Sequence, residues 1–334
     1  MLERYKKVPN PHGPKNLHAA GQRRRQPQCP GTFHQHVREM KRVSYPRYAV
    51  RTIQSYLDNI KKEKKGIKSS HNIEYVHRMR IASRRLRAAF TVFDDLLGSS
   101  ELKKWKKDIR ALGRALGKAR ELDVQMQFLK ILKTKFKDAS VGTDIKKLLK
   151  ILRCKKDKAQ IRIISTLNKM KKKKTIKKIQ KYLGEISTSQ QLYNRKEKLT
   201  HASMSIRTRL AHLLGYERYV LRPEKAKELH EIRIAAKHLR YALEIFEPLY
   251  GSKLHRFSIF TRRVQDVLGD LHELDVWLPA FPSLTREAGI QKKKSASLLH
   301  QTGTALRKQT YTKFLTLWNE TKRKHLWQKL KAII

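Results

Sequence analysis

One stretch of the chain spaces several cationic side chains so that they would align on a helix. Residues 76–98 contain no Pro, and no Gly before Gly98, and are predicted to form one helix of about six turns. Its cations recur at intervals of three and four residues, which places them on one face. We call these residues the first ridge: His77, Arg80, Arg84 and Arg87. Cationic groups arranged in this way could bind the phosphates or carboxylates of an anionic ligand.

The choice of cation argues against a merely solvated basic face. The chain holds 47 Lys and 31 Arg, yet residues 77–87 hold five Arg and no Lys. Like charges one turn apart weaken a helix by about 0.2–0.5 kcal/mol per pair, so the pattern has a cost. Solvation alone does not select Arg, whereas planar, bidentate recognition of phosphate or carboxylate does.

The same pattern occurs a second time, 153 residues later. Residues 229–251 repeat it, and we call their cations the second ridge: His230, Arg233, Lys237 and Arg240. The segment RALGKARELDV at 114–124 likewise corresponds to DVLGDLHELDV at 266–276, at an offset of 152. A solvated charge pattern would not be expected to recur in register with core residues. The chain is therefore predicted to be a tandem duplication whose two ridges bind a shared anionic ligand.

Together these motifs resemble those of the CHAD domain, the conserved histidine α-helical domain, over residues 46–334. The resemblance implies an all-α fold of two helical bundles related by a pseudo-two-fold. It also implies that inorganic polyphosphate binds in a basic groove lined by the His, Arg and Lys side chains of the two ridges. Lys237 stands in place of Arg84, and His272 in place of Arg120, so the second half is expected to bind less tightly.

Eight further cations are second-tier candidates for polyphosphate binding. They are Arg110, Arg120, Arg153, Lys156, Arg162, Arg262, Arg307 and Lys313. Neighbouring Arg residues should lower the pKa of the motif histidines in the free protein, and a bound polyanion should raise it. Glu121 and Asp123 either begin a helix, where carboxylates complement the dipole, or pair with Arg120. The sequence does not separate these two interpretations.

The net charge of +50 indicates a polyanionic partner: polyphosphate, nucleic acid or an anionic membrane. The aromatic residues of both motif helices lie within or near the apolar stripe, not on the ridges, which favours phosphate over base recognition. Together with the resemblance to the CHAD domain, these features make inorganic polyphosphate the predicted partner. An architectural protein that binds nucleic acid non-specifically through backbone phosphates is the alternative. Oligomeric state is not predicted.

Catalytic patterns are missing from the sequence. It shows no nucleophile–base pair, no Walker loop and no carboxylate cluster, and a phosphohydrolase would need an acidic metal site. We therefore predict a binding protein, not an enzyme, with no cofactor and no metal. Two cysteines, Cys29 and Cys154, and no apolar run of 18 residues favour a soluble protein of a reducing compartment. We expect it in the cytoplasm, where an association with polyphosphate granules is considered.

The domain organisation is predicted from the composition of each segment and from the positions of Pro and Gly. Residues 1–45 hold half of the ten Pro and are predicted to be a disordered basic arm, followed by halves at 46–185 and 194–334. Glycine is expected to end helices at Gly66 and Gly184, and at Gly117 to permit either close backbone approach or a break, with a linker at 185–193. The predicted helices are 46–65, 76–98, 100–117, 144–170 (with Ile161 inward), 175–184, 194–214, one after Pro223, 253–268, a short one before Pro279 and Pro282, 284–302 and 304–332.

Overall fold

All secondary structure of the described residues is helical, which confirms the predicted all-α class. The computed structural model describes residues 40, 42–69, 73–98, 100–136, 138–188, 194–290 and 293–334. The predicted arm lies outside this part of the chain as far as residue 39. The α-helices are α1 Tyr45–Ser69, α2 Ile73–Val92, α3 Ser100–Lys135, α4 Ala139–Lys172, α5 Thr175–Thr188, α6 Arg195–Leu214, α7 Ala226–Tyr250, α8 His255–Glu287, α9 Lys293–Arg323 and α10 Leu326–Lys331.

The described residues form two compact units. The first unit comprises Ser44–Asn194 and Glu273–Gln309, and the second comprises Arg195–His272 and Thr310–Ile334 with the few described residues before Ser44. In the first unit α2 packs between α1 and α3, α3 packs on α4, and α5 packs on α1. In the second unit α6 packs on α7. The two motif helices, α2 and α7, are thus each held by a helical neighbour within their own unit.

The first motif helix forms because one of its stripes is apolar. Met79, Leu86 and Phe90 are completely or almost completely buried, at the helical spacing that the sequence predicted. Just after the helix, the buried Phe93 ring contacts Tyr45 and Tyr48 of α1, with ring centroids 5.9 and 6.3 Å apart. These contacts fix α2 against α1, so the opposite face of α2, which carries the first ridge, has a defined direction.

The second motif helix is more deeply buried. Ile232, Leu239 and Phe246 lie in the core of the second unit. That core also holds a buried lysine: the Lys198 ammonium donates to the carbonyl oxygens of Val43 at 2.5 Å and Met40 at 3.4 Å. Burial, aided by the charge of Arg195, lowers the pKa of Lys198 to about 8. Met40 is buried as well, so the chain just before α1 is packed against α6.

Glycine does not end the helices where the sequence predicted. α1 continues through Gly66 to Ser69, so residues 66–69 are helical where the sequence predicted a loop, and residues 70–72 lie outside the described part. α3 runs through Gly117, which places Glu121 and Asp123 inside a long helix and not in a first turn. α5 runs through Gly184 to Thr188, inside the expected linker. A helical glycine costs only about 1 kcal/mol, which tertiary packing outweighs.

The prolines near the end of α8 also led to a wrong prediction of helix boundaries. The sequence predicted a helix at 253–268 and a separate short one before Pro279, whereas α8 is continuous from His255 to Glu287 and contains both Pro279 and Pro282. Interior prolines cost roughly 3 kcal/mol each. Around them the rings of Trp277 and Phe281 are buried and lie 5.1 Å apart, and Phe128 of α3 packs on Trp277 at 4.4 Å. This aromatic packing holds the helix together across the prolines.

Three other predicted boundaries or faces were wrong. α2 ends at Val92, and a turn follows where the prediction continued to residue 98. Residues 293–323 form one helix, so the predicted break between 302 and 304 does not occur. Ile161, which was expected in the core, is 68 % exposed, and Ile163, two residues later, is buried in its place. At 100° per residue Ile163 lies on the same side of α4 as the buried Ile145, whereas Ile161 lies about 160° away from it, so regular helical periodicity accounts for the difference.

Candidate functional site

The first ridge lies on the face of α2 that the buried stripe leaves open. His77, Arg80 and Arg84 are half-buried and Arg87 is exposed. The guanidinium of Arg87 lies beside α3, where a Cβ added to Gly113 would be 3.2 Å from its Nη1. Gly113 therefore leaves the space that the long Arg87 side chain occupies between the two helices. The ridge residues lie on α2 as the sequence predicted, but the glycine that leaves space for Arg87 was not recognised there.

Positive charge is concentrated around His77. Burial lowers the pKa of this imidazole, and the charges of Arg80, of Arg120 on α3 and of Arg78 lower it further, while Glu74 acts in the opposite direction. Arg120 thus acts on the motif histidine from the neighbouring helix, as its place in the repeated motif suggested. A bound anion would raise this pKa again, and the protonated imidazole donates from both nitrogens.

The second ridge carries the corresponding arrangement in the second unit. The rings of His230 and His272 stack, with centroids 3.9 Å apart and an angle of 33° between their planes. Burial, together with the charges of His230 and Arg233, lowers the pKa of His272 to about 4. A Cβ added to Gly269 would lie 3.6 Å from Nε of Arg233. Here again a side chain from the next helix acts on the motif histidine, and a glycine of that helix lies beside an arginine of the ridge.

The two ridges differ at their last position. Arg240 is buried, stacks on the ring of Tyr241 at 4.6 Å, and lies 3.7 Å from the carboxylate of Glu244. Arg262 of α8 donates to the same carboxylate at 2.9 Å. Glu244 therefore neutralises part of the charge that the sequence assigned to polyphosphate binding. The first repeat has Thr91 at this position.

The aspartates of the repeated ELDV segment each pair with a second-tier cation. Asp123 lies 2.6 Å from the ammonium of Lys156 on α4, and Asp275 accepts from Nε of Arg307 on α9 at 2.5 Å. Glu121 pairs with Lys118 within its own helix at 3.0 Å. Asp123 thus neither lies in the first turn of a helix nor pairs with Arg120, the two interpretations that the sequence left open. The i→i+3 spacing of Lys118 and Glu121 could have indicated that pair, but no sequence pattern identifies a partner on another helix.

The remaining second-tier residues are less closely tied to the motifs. Arg110, Arg153, Arg162 and Lys313 occupy exposed positions on α3, α4 and α9. Their exposure is compatible with general electrostatic attraction of a polyanion. Residues that the sequence analysis missed are Gly113 and Glu244, whereas Gly269 belongs to the repeated segment at 266–276. Only Glu244 had a recognisable signal, because it stands four residues after Arg240 on the same helix.

Two other properties bear on the class of ligand. Among the described residues, no group of three or more His, Cys, Asp and Glu side chains is placed to hold a metal ion. Within the same part of the chain, none of the helices combines the length and apolar character that crossing a membrane requires. Cys154 is a free, exposed thiol.

Comparison with known proteins identifies relatives by sequence profile and by fold. The profile of the CHAD domain matches residues 51–281. The crystal structure of the CHAD domain from the plant Ricinus communis superposes with a TM-score of 0.64 at 19 % identity, covering 83 % of this chain and 92 % of that one. PptA from Streptomyces chartreusis gives a TM-score of 0.57 at 13 % identity, covering 83 % of this chain and all of that one. A search of curated proteins found no match.

Proposed function

The chain belongs to the CHAD domain family, and on that premise we propose that it binds inorganic polyphosphate through the first and second ridges. Polyphosphate is a flexible chain of phosphates with about one negative charge each and no bases. It is therefore bound best by a row of cationic donors that requires no aromatic surface. We further propose that the protein is a binding protein and not an enzyme.

One observation carries this proposal: in each repeat, a half-buried histidine lies in the electrostatic field of cationic side chains of the motif helix, joined in the first repeat by Arg120 of the next helix. His77 lies in the field of Arg80 and Arg120, and His272 in the field of Arg233 and the stacked His230. Positive groups repel one another in the free protein, and an anion would relieve that repulsion. Arrangements that raise the energy of the free protein in this way are typical of functional sites.

The burial of the aromatic rings supports phosphate over nucleobases as the bound group. Phe90 and Phe93 after the first ridge, and Tyr241 and Phe246 on the second motif helix, are all buried. Proteins that bind single-stranded nucleic acids usually present exposed rings on which bases stack. The other two rings on the described part of these helices, Tyr75 beneath Arg78 and Tyr250, are half-buried, so neither helix presents a fully exposed ring, and contacts to the backbone of a nucleic acid are favoured over stacking on its bases.

A competition titration tests the proposal. Labelled long-chain polyphosphate is displaced from the protein by unlabelled polyphosphate, single-stranded RNA or duplex DNA, all at one ionic strength and at equal phosphate concentration. We expect unlabelled polyphosphate to displace the probe at lower concentration than either nucleic acid. The fixed ionic strength matters because affinity for any polyanion falls steeply with salt.

Equal competition by the three polymers would contradict this function. It would leave a basic surface that binds phosphate chains without discrimination, as the nucleic-acid alternative requires. If, at high salt, unlabelled polyphosphate still displaces the probe but neither nucleic acid does, the proposal is strengthened. The reason is that bidentate contacts survive screening by salt better than diffuse attraction does.

A further inference from the structure

The same carboxylate–cation pair is built twice, at matching places in the two repeats. Asp123 and Asp275 are 152 residues apart, and their partners Lys156 and Arg307 are 151 apart. In each pair the aspartate side chain is nearly buried, at 7 % and 12 % exposure, while the cation keeps 34 % and 23 %. The carboxylate is thus enclosed between helices, and the cation it holds still faces solvent.

The first pair lies within one helical turn of Arg120, a residue that acts on the first ridge. Asp123 follows Arg120 by three residues on α3, which is close to one helical turn, and Arg120 acts on His77. Lys156 comes from α4, the helix that packs on α3. An ammonium group has three donors, and the contact with Asp123 requires only one of them. The other donors of Lys156 remain available to an anion bound along this side of α3.

A negative charge at this place needs an explanation. A carboxylate close to a polyanion repels it, so general electrostatics would favour its absence from the site. Ion pairs, whether exposed or buried, contribute little net stability, so packing alone is a weak reason to keep one. The pair also recurs with different cations, Lys in the first repeat and Arg in the second, so the aspartate is the common element.

We propose that Asp123 and Asp275 are positioning residues, which hold the heads of Lys156 and Arg307 in place as donors to polyphosphate. The inference rests on the proposed polyphosphate binding and adds a role for the acidic part of the repeated motif. Each aspartate removes the conformational freedom of a long side chain before the ligand arrives. The entropy of ordering that side chain is then not lost on binding, which increases affinity.

The sign of one substitution distinguishes positioning from general electrostatics. Asp123→Asn makes the protein more positive by one charge while keeping the shape of the side chain. If the aspartate acts only through its charge, this variant binds polyphosphate more tightly. If it positions Lys156, affinity falls by about fivefold or more. Calorimetric titration with long-chain polyphosphate measures the difference, and Asp123→Glu should recover part of the loss.

Two controls separate the effects. Asp58→Asn removes the same charge from an exposed pair on α1, where Asp58 lies 3.6 Å from Lys61, and should bind as tightly as the wild type or slightly more so. Lys156→Gln should weaken binding, and adding Asp123→Asn to it should cause no further loss, because the aspartate acts through the lysine. Both Asp123→Asn and Lys156→Gln should also reduce the slope of log affinity against log salt, which a purely structural defect would not do.

The possible results distinguish a failure of this inference from a failure of the proposed polyphosphate binding. If the wild-type protein does not bind polyphosphate, the proposed function fails and the inference fails with it. If the wild type binds and Asp123→Asn matches or exceeds Asp58→Asn, the function stands and the positioning role is overturned. If Asp123→Asn does not fold, Lys156→Gln and Arg307→Gln decide: unchanged affinity and salt slope in both overturn the role.

Discussion

Arg87 and Arg240 occupy matching positions in the two ridges, yet their surroundings differ. Arg87 is exposed and lies beside Gly113, whereas Arg240 is buried against Tyr241 and close to Glu244. Glu244 also binds Arg262, so one carboxylate partly neutralises two cations in the second repeat. For polyphosphate to use these two arginines, it would have to compete with Glu244. We therefore infer that the first ridge contributes more to binding than the second.

Protonation of His272 is expected to link polyphosphate binding to pH. The pKa of this residue is lowered to about 4, from an ordinary value of about 6.5. A polyanion bound to the second ridge should raise it again, so binding takes up a proton. If the complex restores the ordinary value, affinity increases about tenfold at about pH 5.5 and hardly at all above pH 7.5. Calorimetric titrations of the wild type and of His272→Asn at both pH values measure this gain.

His272→Asn should lose most of the pH dependence. The stability of the free protein should change with pH in the opposite direction to the affinity. Because the pKa of His272 is lowered in the fold, its contribution to stability is complete above about pH 6.5 and is lost as the pH falls towards 4. Thermal melts without ligand should thus decline more for the wild type than for His272→Asn over this interval. An identical pH profile of affinity for the two proteins would show that His272 takes no part in binding.

At the residue level the sequence identified which side chains lie on the motif helices, but not all of their partners. The spacing of three and four residues specifies a helix face, and the structure has the ridges on helices α2 and α7. The ion pairs of Asp123 and Asp275 join residues more than 30 positions apart on separate helices. No periodic pattern encodes such a pair, because it depends on how the helices pack.

Helix α1 shows why a glycine can lie inside a helix. A Cβ at Gly66 would overlap the ring of Tyr75 on α2. That ring is held in place by Arg78, which stacks on it at 4.9 Å and donates to Glu63 of α1 at 2.9 Å. Gly66 thus allows the two helices to approach closely near their connection. The sequence showed the glycine but not the ring that requires it, so the helix was predicted to end there.

Substitution at Gly66 tests this close approach. Gly66→Ala should lower the free energy of unfolding by about 1–3 kcal/mol, since overpacking exceeds the gain in helix propensity of about 1 kcal/mol. In a Tyr75→Ala background the overlap is removed, so the same substitution should become neutral or stabilising. Urea denaturation of the four proteins measures both effects. Stabilisation by Gly66→Ala in the presence of Tyr75 would contradict the predicted overlap.

For the whole molecule, the compact units do not follow the sequence repeats. Residues 273–309 come from the predicted second half but pack in the first unit. There Ser295 donates to the buried carboxylate of Asp144 at 2.9 Å, and these two residues are 151 positions apart, which is nearly the repeat offset. Sequence periodicity shows which residues are buried but not which helices they meet. The pseudo-two-fold therefore stays a prediction, supported by the matching ion pairs.

The net charge of +50 ensures some affinity for any polyanion, so binding alone does not establish the role of the ridges. The decisive comparison is between cations on the ridges and cations elsewhere. One variant carries Gln in place of four ridge residues: Arg80, Arg84, Arg233 and Lys237. The control carries Gln in place of four residues of α1: Lys61, Lys62, Lys64 and Lys65. Gln has nearly the helix propensity of Arg and Lys, so both proteins should fold.

Polyphosphate affinity of these two variants, measured by titration at one ionic strength, tests the central claim most directly. Charge-assisted bonds in a partly desolvated site contribute roughly 1.5–3 kcal/mol each, while exposed, screened charges contribute about 0–1 kcal/mol. The ridge variant should therefore lose far more affinity than the control, and should melt at the same temperature as the wild type or higher, because repulsion among the cations is removed. Equal losses of affinity in the two variants would contradict binding through the ridges and leave only a diffuse basic surface.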